Sequence, residues 1–267
     1  MSFYYSIASG SSGNCAVWQA GETAVLIDLG VSVRALNQAL RRIDMQIEDI
    51  TAVLLTHEHI DHIKGLATFV KKYDLPVYAT FGTAAAILQK LPQAQKNLQM
   101  FAGGEAFDIG GLYVQSMPIS HDAAEPVAYR IDGGGYKLGY VTDTGFLPEQ
   151  VKAAISGCDT IVLESNHDVE MLRTGPYPMY LKQRIRGKYG HLSNEECAGC
   201  ARSLAKAGAR RLVLAHLSDK NNNPLTALRC TQRSLSGLDC QLYVAPRSAM
   251  EEPIQLAEEG TQCSMFA

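Results

Sequence analysis

From the first residues to Asp28 the chain alternates short β-prone runs, AVW and TAVLID among them, with turn-forming stretches, SGSSGN at 9–14 and Gln19-Ala20-Gly21-Glu22. Gly and Ser at those points punctuate strands, so the region predicts antiparallel strands joined by tight turns. Ser32 is placed to cap a helix running to Arg42. Thr51 to Thr56 (TAVLLT) is apolar enough for a buried strand, and His62 to Tyr73 has helical spacing. The polar run HEHIDH at 57–62 therefore falls at the C-terminal end of a strand.

The second half repeats the habit. Strands are predicted near Leu112 to Met117, Val127 to Ile131 and Lys137 to Thr142, the last two joined as a hairpin across Asp132-Gly133-Gly134-Gly135. A helix from Leu147 to Ser156, a strand from Asp159 to Glu164 and a helix from Ser193 to Ala207 follow, with Ser193 and Glu196 as a capping box. The strand Arg211 to Ala215 stops at His216. No linker or low-complexity stretch divides the chain. This pattern predicts an α/β (α+β) protein forming one domain over 1–267, two β-rich halves packed face to face with helices outside. The tail, 250–267, carries no such pattern and is expected to be disordered.

Composition narrows the class without choosing a function. A chain of 267 residues can bury a large core. No stretch approaches the roughly 20 apolar residues of a membrane span, and the start lacks a signal-peptide layout, so a cytoplasmic protein without a membrane partner is expected. The 7 cysteines are scattered and odd in number, and Cys197 and Cys200 lack the second pair of a zinc knuckle, so they read as reduced core thiols. A formal net charge of -3 argues against a general polyanion binder but leaves room for a local basic wall. A homodimer is compatible with all of this.

The chemistry concentrates in His57-Glu58-His59-Ile60-Asp61-His62. Imidazole and carboxylate without thiolate favour zinc, manganese or iron(II), and so many ligands in one turn exceed what a single tetrahedral ion takes, which points to two divalent cations sharing ligands. His121, Asp143 and His216 each end another apolar run, where sites gather in α/β folds. HEHIDH, the His of ISHD, the Asp of TDTG and the His of LAHLS, in that order, resemble the metallo-β-lactamase-fold hydrolases. The opening SGSSGN, the ESNHD segment and GHLSN resemble, within them, the YycJ/WalJ-like group, regarded as nucleases acting on DNA ends.

That resemblance implies an αββα sandwich of two mixed sheets and a division of labour. His57, His59 and His121 would hold one metal, Asp61, His62 and His216 the other, and Asp143 would bridge them, its two oxygens spanning ions ~3.5–4 Å apart. Asp61 would also orient the attacking water. Related oxygen-reducing diiron proteins carry a carboxylate where this chain has His59, so the resemblance implies hydrolysis rather than redox chemistry.

The surroundings bear on the substrate. Ser12 and Asn14, in the Gly/Ser turn, are expected to contact phosphate oxygens. His167 is expected beyond the metals, touching a ligand histidine or the substrate. His191, just before a helix N-terminus, is expected to grip the scissile phosphate and to act as general acid. Met171 to Asn194 holds Arg173, Lys182, Arg184, Arg186 and Lys188 with Tyr177, Tyr180 and Tyr189 and no acid, a composition suited to a phosphate backbone and unpaired bases. Arg184, Lys188 and Tyr189 are the chosen contacts. The expected activity is a two-metal phosphodiesterase that hydrolyses DNA, 5′-to-3′ by resemblance. A glyoxalase II-like thioester or lactone hydrolase and a non-enzymatic metal-binding regulator are the alternatives.

Overall fold

A computed structural model describes residues 2–256. Strands β1 (Phe3–Ala8), β2 (Cys15–Ala20) and β3 (Thr23–Ile27) form the antiparallel meander that the Gly/Ser turns require. Helix α1 (Val33–Arg41), capped by the Ser32 hydroxyl on Ala35 N, then crosses over to β4 (Ala52–Leu54), which lies parallel to β3. The helix expected over His62 to Tyr73 is instead two pieces, α2 (Ile60–Ile63) and α3 (Leu66–Lys72). The break falls at Gly65, whose N–H donates to Leu29 O at 2.9 Å. A Cβ there would sit 2.1 Å from Val31 O, so the close approach to the loop after β3 stops one helix and starts the next. Strands β5 (Val77–Thr80) and β6 (Leu98–Phe101), separated by α4 (Phe81–Lys90), complete the parallel side of this sheet.

The second sheet follows the same plan. Strands β7 (Ala106–Ile109), β8 (Leu112–Pro118), β9 (Val127–Gly133) and β10 (Tyr136–Val141) are antiparallel in turn, with the expected β9–β10 hairpin turning on Gly134 and Gly135 at φ 56° and 82°. Strands β11 (Thr160–Glu164), β12 (Arg211–Ala215) and β13 (Gln241–Val244) continue parallel to β10. Helix α5 (Glu149–Ile155) connects β10 to β11. Helices α6 (Val169–Thr174), α7 (Met179–Arg186) and α8 (Asn194–Lys206) lie between β11 and β12, and α9 (Pro224–Ser234) precedes β13. The capping box of Ser193 and Glu196 opens α8 as the sequence predicts.

The tail expectation is corrected for its first part. Ile254–Gln255 forms β14, antiparallel to β1, with Leu256 only 2% exposed, because Ile254 and Leu256 supply apolar cover to the core. The remaining tail residues, 257–267, lie outside the described residues.

Each sheet thus has seven strands, ordered β14-β1-β2-β3-β4-β5-β6 and β13-β12-β11-β10-β9-β8-β7. Trp18, Val25 and Leu54 of one pack with Val114, Tyr129 and Val213 of the other in a buried cluster. Separate clusters seat Leu36, Phe69 and Ile87 on the first sheet, and Ile155, Leu204 and Ala227 on the second, which makes four layers, αββα. A polar stitch crosses the inner layer. The Tyr129 hydroxyl, on β9, donates to Leu55 O, just past β4, at 2.6 Å, and burial pushes its pKa well above the ordinary tyrosine value. Tyr129→Phe should leave that buried carbonyl unpaired and lower stability by about 1–3 kcal/mol in urea titration, with the far-ultraviolet spectrum unchanged.

Candidate active site

Because β3 and β4 run in one sense, and β8, β10, β11 and β12 share a sense in the other sheet, the residues just past their C-terminal ends collect at one edge of the sandwich. Asp28 follows β3 and His57 lies just beyond β4, while His121, Asp143 and His216 lie beyond β8, β10 and β12, and Glu164 ends β11. Three of these turn the chain with left-handed backbone: Asp28 at φ 61°, Asp143 at 58° and His216 at 55°. Non-glycine residues seldom adopt that conformation, so the fold holds strain where these side chains are aimed.

The ligand-type atoms converge in overlapping groups. His57, His59 and His121 offer atoms all within 4.8 Å of one another, as do Asp61, His62 and His216. Asp143 joins His57 and His62 in a third such group, so its carboxylate stands between the other two. Asp143 Oδ2 is 3.4 Å from His62 Nε2, and Oδ1 is 4.0 Å from His121 Nε2. Between the first three, His121 Nε2 is 3.3 Å from His59 Nδ1.

Four of the imidazoles are held from behind at one nitrogen. His62 Nδ1 lies 2.8 Å from Asp28 Oδ2, His57 Nδ1 3.0 Å from the Thr56 hydroxyl, His121 Nδ1 3.3 Å from Gly190 O, and His216 Nδ1 3.0 Å from Glu164 Oε1. Asp28 also accepts from Thr56 N–H at 2.8 Å and from the Thr56 hydroxyl, so one carboxylate fixes both the end of β4 and a histidine. The second nitrogen of His57 and of His216, and Asp143 Oδ2, are buried without a hydrogen-bond partner among the described residues. Buried polar atoms in natural folds are almost always paired. Imidazoles oriented from behind by oxygen atoms, with unpaired buried nitrogens and an unpaired carboxylate oxygen among them, are the donor set of a divalent-cation site, and these residues fit one.

The electrostatics agree. Burial, together with the neighbouring imidazoles of His62 and His121, pushes His57 well below its ordinary pKa, so it stands as a neutral ring. Burial also pushes His62 down, but the carboxylates of Asp28 and Asp143 outweigh it and raise this ring to about 9. Burial alone would raise the Asp61 carboxyl, yet His216 and His62 hold it well below the usual carboxylate range.

Glu164, fully buried, ties a further histidine to this group. Its Oε1 meets His191 Nδ1 at 2.7 Å as well as His216 Nδ1, and its Oε2 accepts Thr144 N–H at 2.9 Å and Leu192 N–H at 3.2 Å. His191 lies 16% exposed at the edge of a cavity of about 220 Å³ whose floor is His59, Asp61, His121, Asp143 and His216.

Residues 23–217 match the family model described as a β-lactamase superfamily domain. The chain belongs to the β-lactamase superfamily. Over 226 residues it is 40% identical to a Bacillus anthracis member named exodeoxyribonuclease YycJ, covering 83% of this chain and 85% of that protein. It is 37% identical to exodeoxyribonuclease WalJ of Streptococcus pneumoniae, covering 82% of this chain and 83% of that one. Among solved structures, zinc-bound PqqB from Methylobacterium extorquens aligns with a TM-score of 0.71 at 20% identity, covering 92% of this chain and 99% of its own. YhfI from Bacillus subtilis aligns at 0.70 and 18% identity, covering 93% and 98%. These two likenesses carry the fold, the metallo-β-lactamase αββα sandwich.

Within this superfamily fold, the seven residues expected to hold metal all meet at the one sandwich edge. The expected substrate contacts divide. Arg184 lines the cavity and pairs with Asp122 at 2.6 Å. Lys188 and Tyr189 are exposed beside it, with the Lys188 ammonium 4.7 Å from the Tyr189 ring centre. Asn14 does not face a substrate. It is 1% exposed, donates to Gly10 O and Asp61 Oδ2, and lies 3.0 Å from His62 Nε2, so its amide braces two of the clustered side chains. Ser12 is exposed, and its neighbour Ser11 takes the place on the cavity wall. His167 is buried behind the wall that Asn166 presents, and burial lowers its pKa to about 4.

Sequence reasoning passed over Asp28, Thr56 and Glu164. Asp28 and Glu164 each close an apolar strand as an acid, the same signal that singled out Asp143. Gly30 was also passed over. A Cβ on it would fall 1.7 Å from Asp61 O and 2.5 Å from Asn14 N, so only glycine lets the loop after β3 cross the HEHIDH turn. Gly30→Ala should therefore cost at least the ~1–3 kcal/mol of an overpacked site, read as a fall in melting temperature. In metal-free protein the His62–Asp28 pair has a defined pH signature. A ring raised from 6.5 to about 9 contributes stability that is fully present below pH 6.5 and is lost as pH rises through about 9. Asp28→Asn should flatten that part of the stability curve between those limits.

Proposed function

We propose that the chain is a cytoplasmic, single-domain exodeoxyribonuclease that hydrolyses DNA from an end, in the 5′-to-3′ sense implied by its YycJ/WalJ-like resemblance, using two divalent cations, zinc, manganese or iron(II) by donor type. The observation that carries this reading is the His191–Glu164 pair, a partly exposed imidazole held at 2.7 Å by a buried carboxylate on the rim of a cavity floored by ligand-type residues. The relatives named exodeoxyribonucleases supply the substrate class.

In this reading His57, His59 and His121 would hold one cation and Asp61, His62 and His216 the other, with Asp143 available to both. Cations bound there supply Lewis-acid stabilisation of phosphate charge and a nucleophile from water at neutral pH. The protein's own groups do the rest. Asp28, Thr56 and the Gly190 carbonyl fix His62, His57 and His121 so that they need not reorganise during reaction. Asp61 orients the attacking water. Glu164 holds His191 by Nδ1, which leaves Nε2 as the nitrogen that passes a proton to the departing oxygen. Arg184, held by Asp122, offers its remaining guanidinium N–H groups to a phosphate at the cavity, while exposed Lys188 and Tyr189 form a small cationic, aromatic rim for the strand beyond it. A neutral lactone would gain nothing from that rim. Among the described residues no helix is long and apolar enough to cross a membrane, which suits a diffusible enzyme.

The test is metal-loaded protein assayed on 5′- and 3′-labelled DNA, RNA, bis-p-nitrophenyl phosphate and a glutathione thioester. Release of mononucleotides from 5′-labelled DNA is expected, and cleavage of the thioester alone would refute the reading. His57→Ala and Asp143→Ala should lose bound metal and activity together. His191→Ala should keep its metal and lose about 10²–10⁴-fold in rate. Metal loss in His191→Ala would show that this histidine belongs to the metal site instead.

A further inference from the structure

One face of the cavity plays no part in the chemistry above. Beyond its floor, the lining divides into a polar side, Ser11, Asn166 and Ser218, and a side made by Tyr177, Leu181 and Ile185. The latter three come from α7 and the turn before it, and they set an aromatic ring and two aliphatic side chains beside a site built for phosphate chemistry.

This face is held in fixed relation to the reacting groups. Ile185 is 8% exposed and its carbonyl accepts His191 N–H at 2.9 Å. Gly190 packs so tightly on the same carbonyl that a Cβ would lie 2.1 Å from it. On the same helix Arg184 is tethered to Asp122, the residue after His121. Tyr177 stands between Pro176 and Pro178, so its flanking φ angles are fixed and its own backbone is confined to extended conformations. The backbone that carries the ring is therefore set before any ligand arrives. At about 220 Å³ the cavity is smaller than the roughly 300–1,000 Å³ that encloses a drug-sized ligand, which allows one nucleoside and not two.

We propose that Tyr177, backed by Leu181 and Ile185, is the seat of the single nucleobase adjoining the bond to be cut. The proposal rests on the nuclease reading and makes Tyr177 a positioning residue. Its ring stacks on the terminal base whatever its identity and so sets the adjoining phosphate over the floor. Leu181 and Ile185 have no polar group with which to read a base edge, and stacking on an aromatic ring tolerates every base.

The experiment compares kcat/KM on single-stranded DNA whose terminal nucleotide either carries a base or is the tetrahydrofuran abasic analogue, with metal content and melting temperature measured for each variant. Wild type should prefer the base-bearing end by roughly 5- to 150-fold, the range set by stacking. In Tyr177→Ala that ratio should fall to near one, in Leu181→Ala it should fall part of the way, and Tyr177→Phe should keep it. An equal loss on both substrates in Tyr177→Ala, or a wild-type enzyme without base preference, would overturn the seat while leaving the nuclease reading intact. Absence of cleavage on every DNA substrate would overturn both.

Discussion

The 2.8 Å contact between His62 Nδ1 and Asp28 Oδ2 is the point at which fold and site become the same problem. Asp28 is fully buried at the end of β3, in a left-handed turn, and its carboxylate also takes the Thr56 N–H at the end of β4. A buried carboxylate without partners would be prohibitively unfavourable, so the parallel β3–β4 pairing, the Thr56 amide and the His62 ring must all be in place together. Once they are, the HEHIDH turn has little freedom. Asn14 N donates to Asp61 O at 2.7 Å, Leu29 N to His62 O at 2.7 Å, and Gly30 allows the two loops to touch.

The same logic explains why so many acids and imidazoles are crowded into a dry edge. Asp28, Asp143, Glu164 and the largely buried Asp61 carry negative charge that His62 and His216 offset in part; divalent cations would complete the balance. Orphaned His57 Nε2, His216 Nε2 and Asp143 Oδ2 mark where that balance is unfinished in the protein alone. The arrangement costs folding energy and gives a preorganised pocket in return, the usual relation between strain and function.

Much of this was legible in the sequence because the signal was local. HEHIDH is dense, and each of His121, Asp143 and His216 terminates a recognisable apolar run, so strand-end logic found the ligand-type residues without knowing the sheet order. The capping box at Ser193 and the Gly-rich hairpin at 132–135 were local too. What escaped depends on close approach between distant segments. The break at Gly65 is set by Val31 O, the Gly30 requirement by Asp61 O, and the pairing of β14 with β1 by a strand at the far end of the chain. The turn that carries Asn14 lies near the site, but the side of a loop that an amide occupies follows from packing, which residue type alone does not reveal.

Glu164 unites the two levels of the site. One oxygen serves both His216, which stands with Asp61 and His62, and His191, which stands on the cavity rim, while the other is fixed by the Thr144 and Leu192 amides. Burial would raise this carboxyl, but the His191 and His216 rings hold it ionised well below the usual range. A single ionised oxygen shared by two imidazoles makes their orientations interdependent: both present Nδ1 to the carboxylate, and both therefore turn Nε2 the other way. The Thr144 amide adds Asp143 to the same unit, since the residue that braces the carboxylate is the neighbour of the central acid. Metal-type ligands and the rim histidine are thus positioned by one buried charge at the end of β11, and a displacement of either group would be felt by the other through contacts of 2.7 and 3.0 Å.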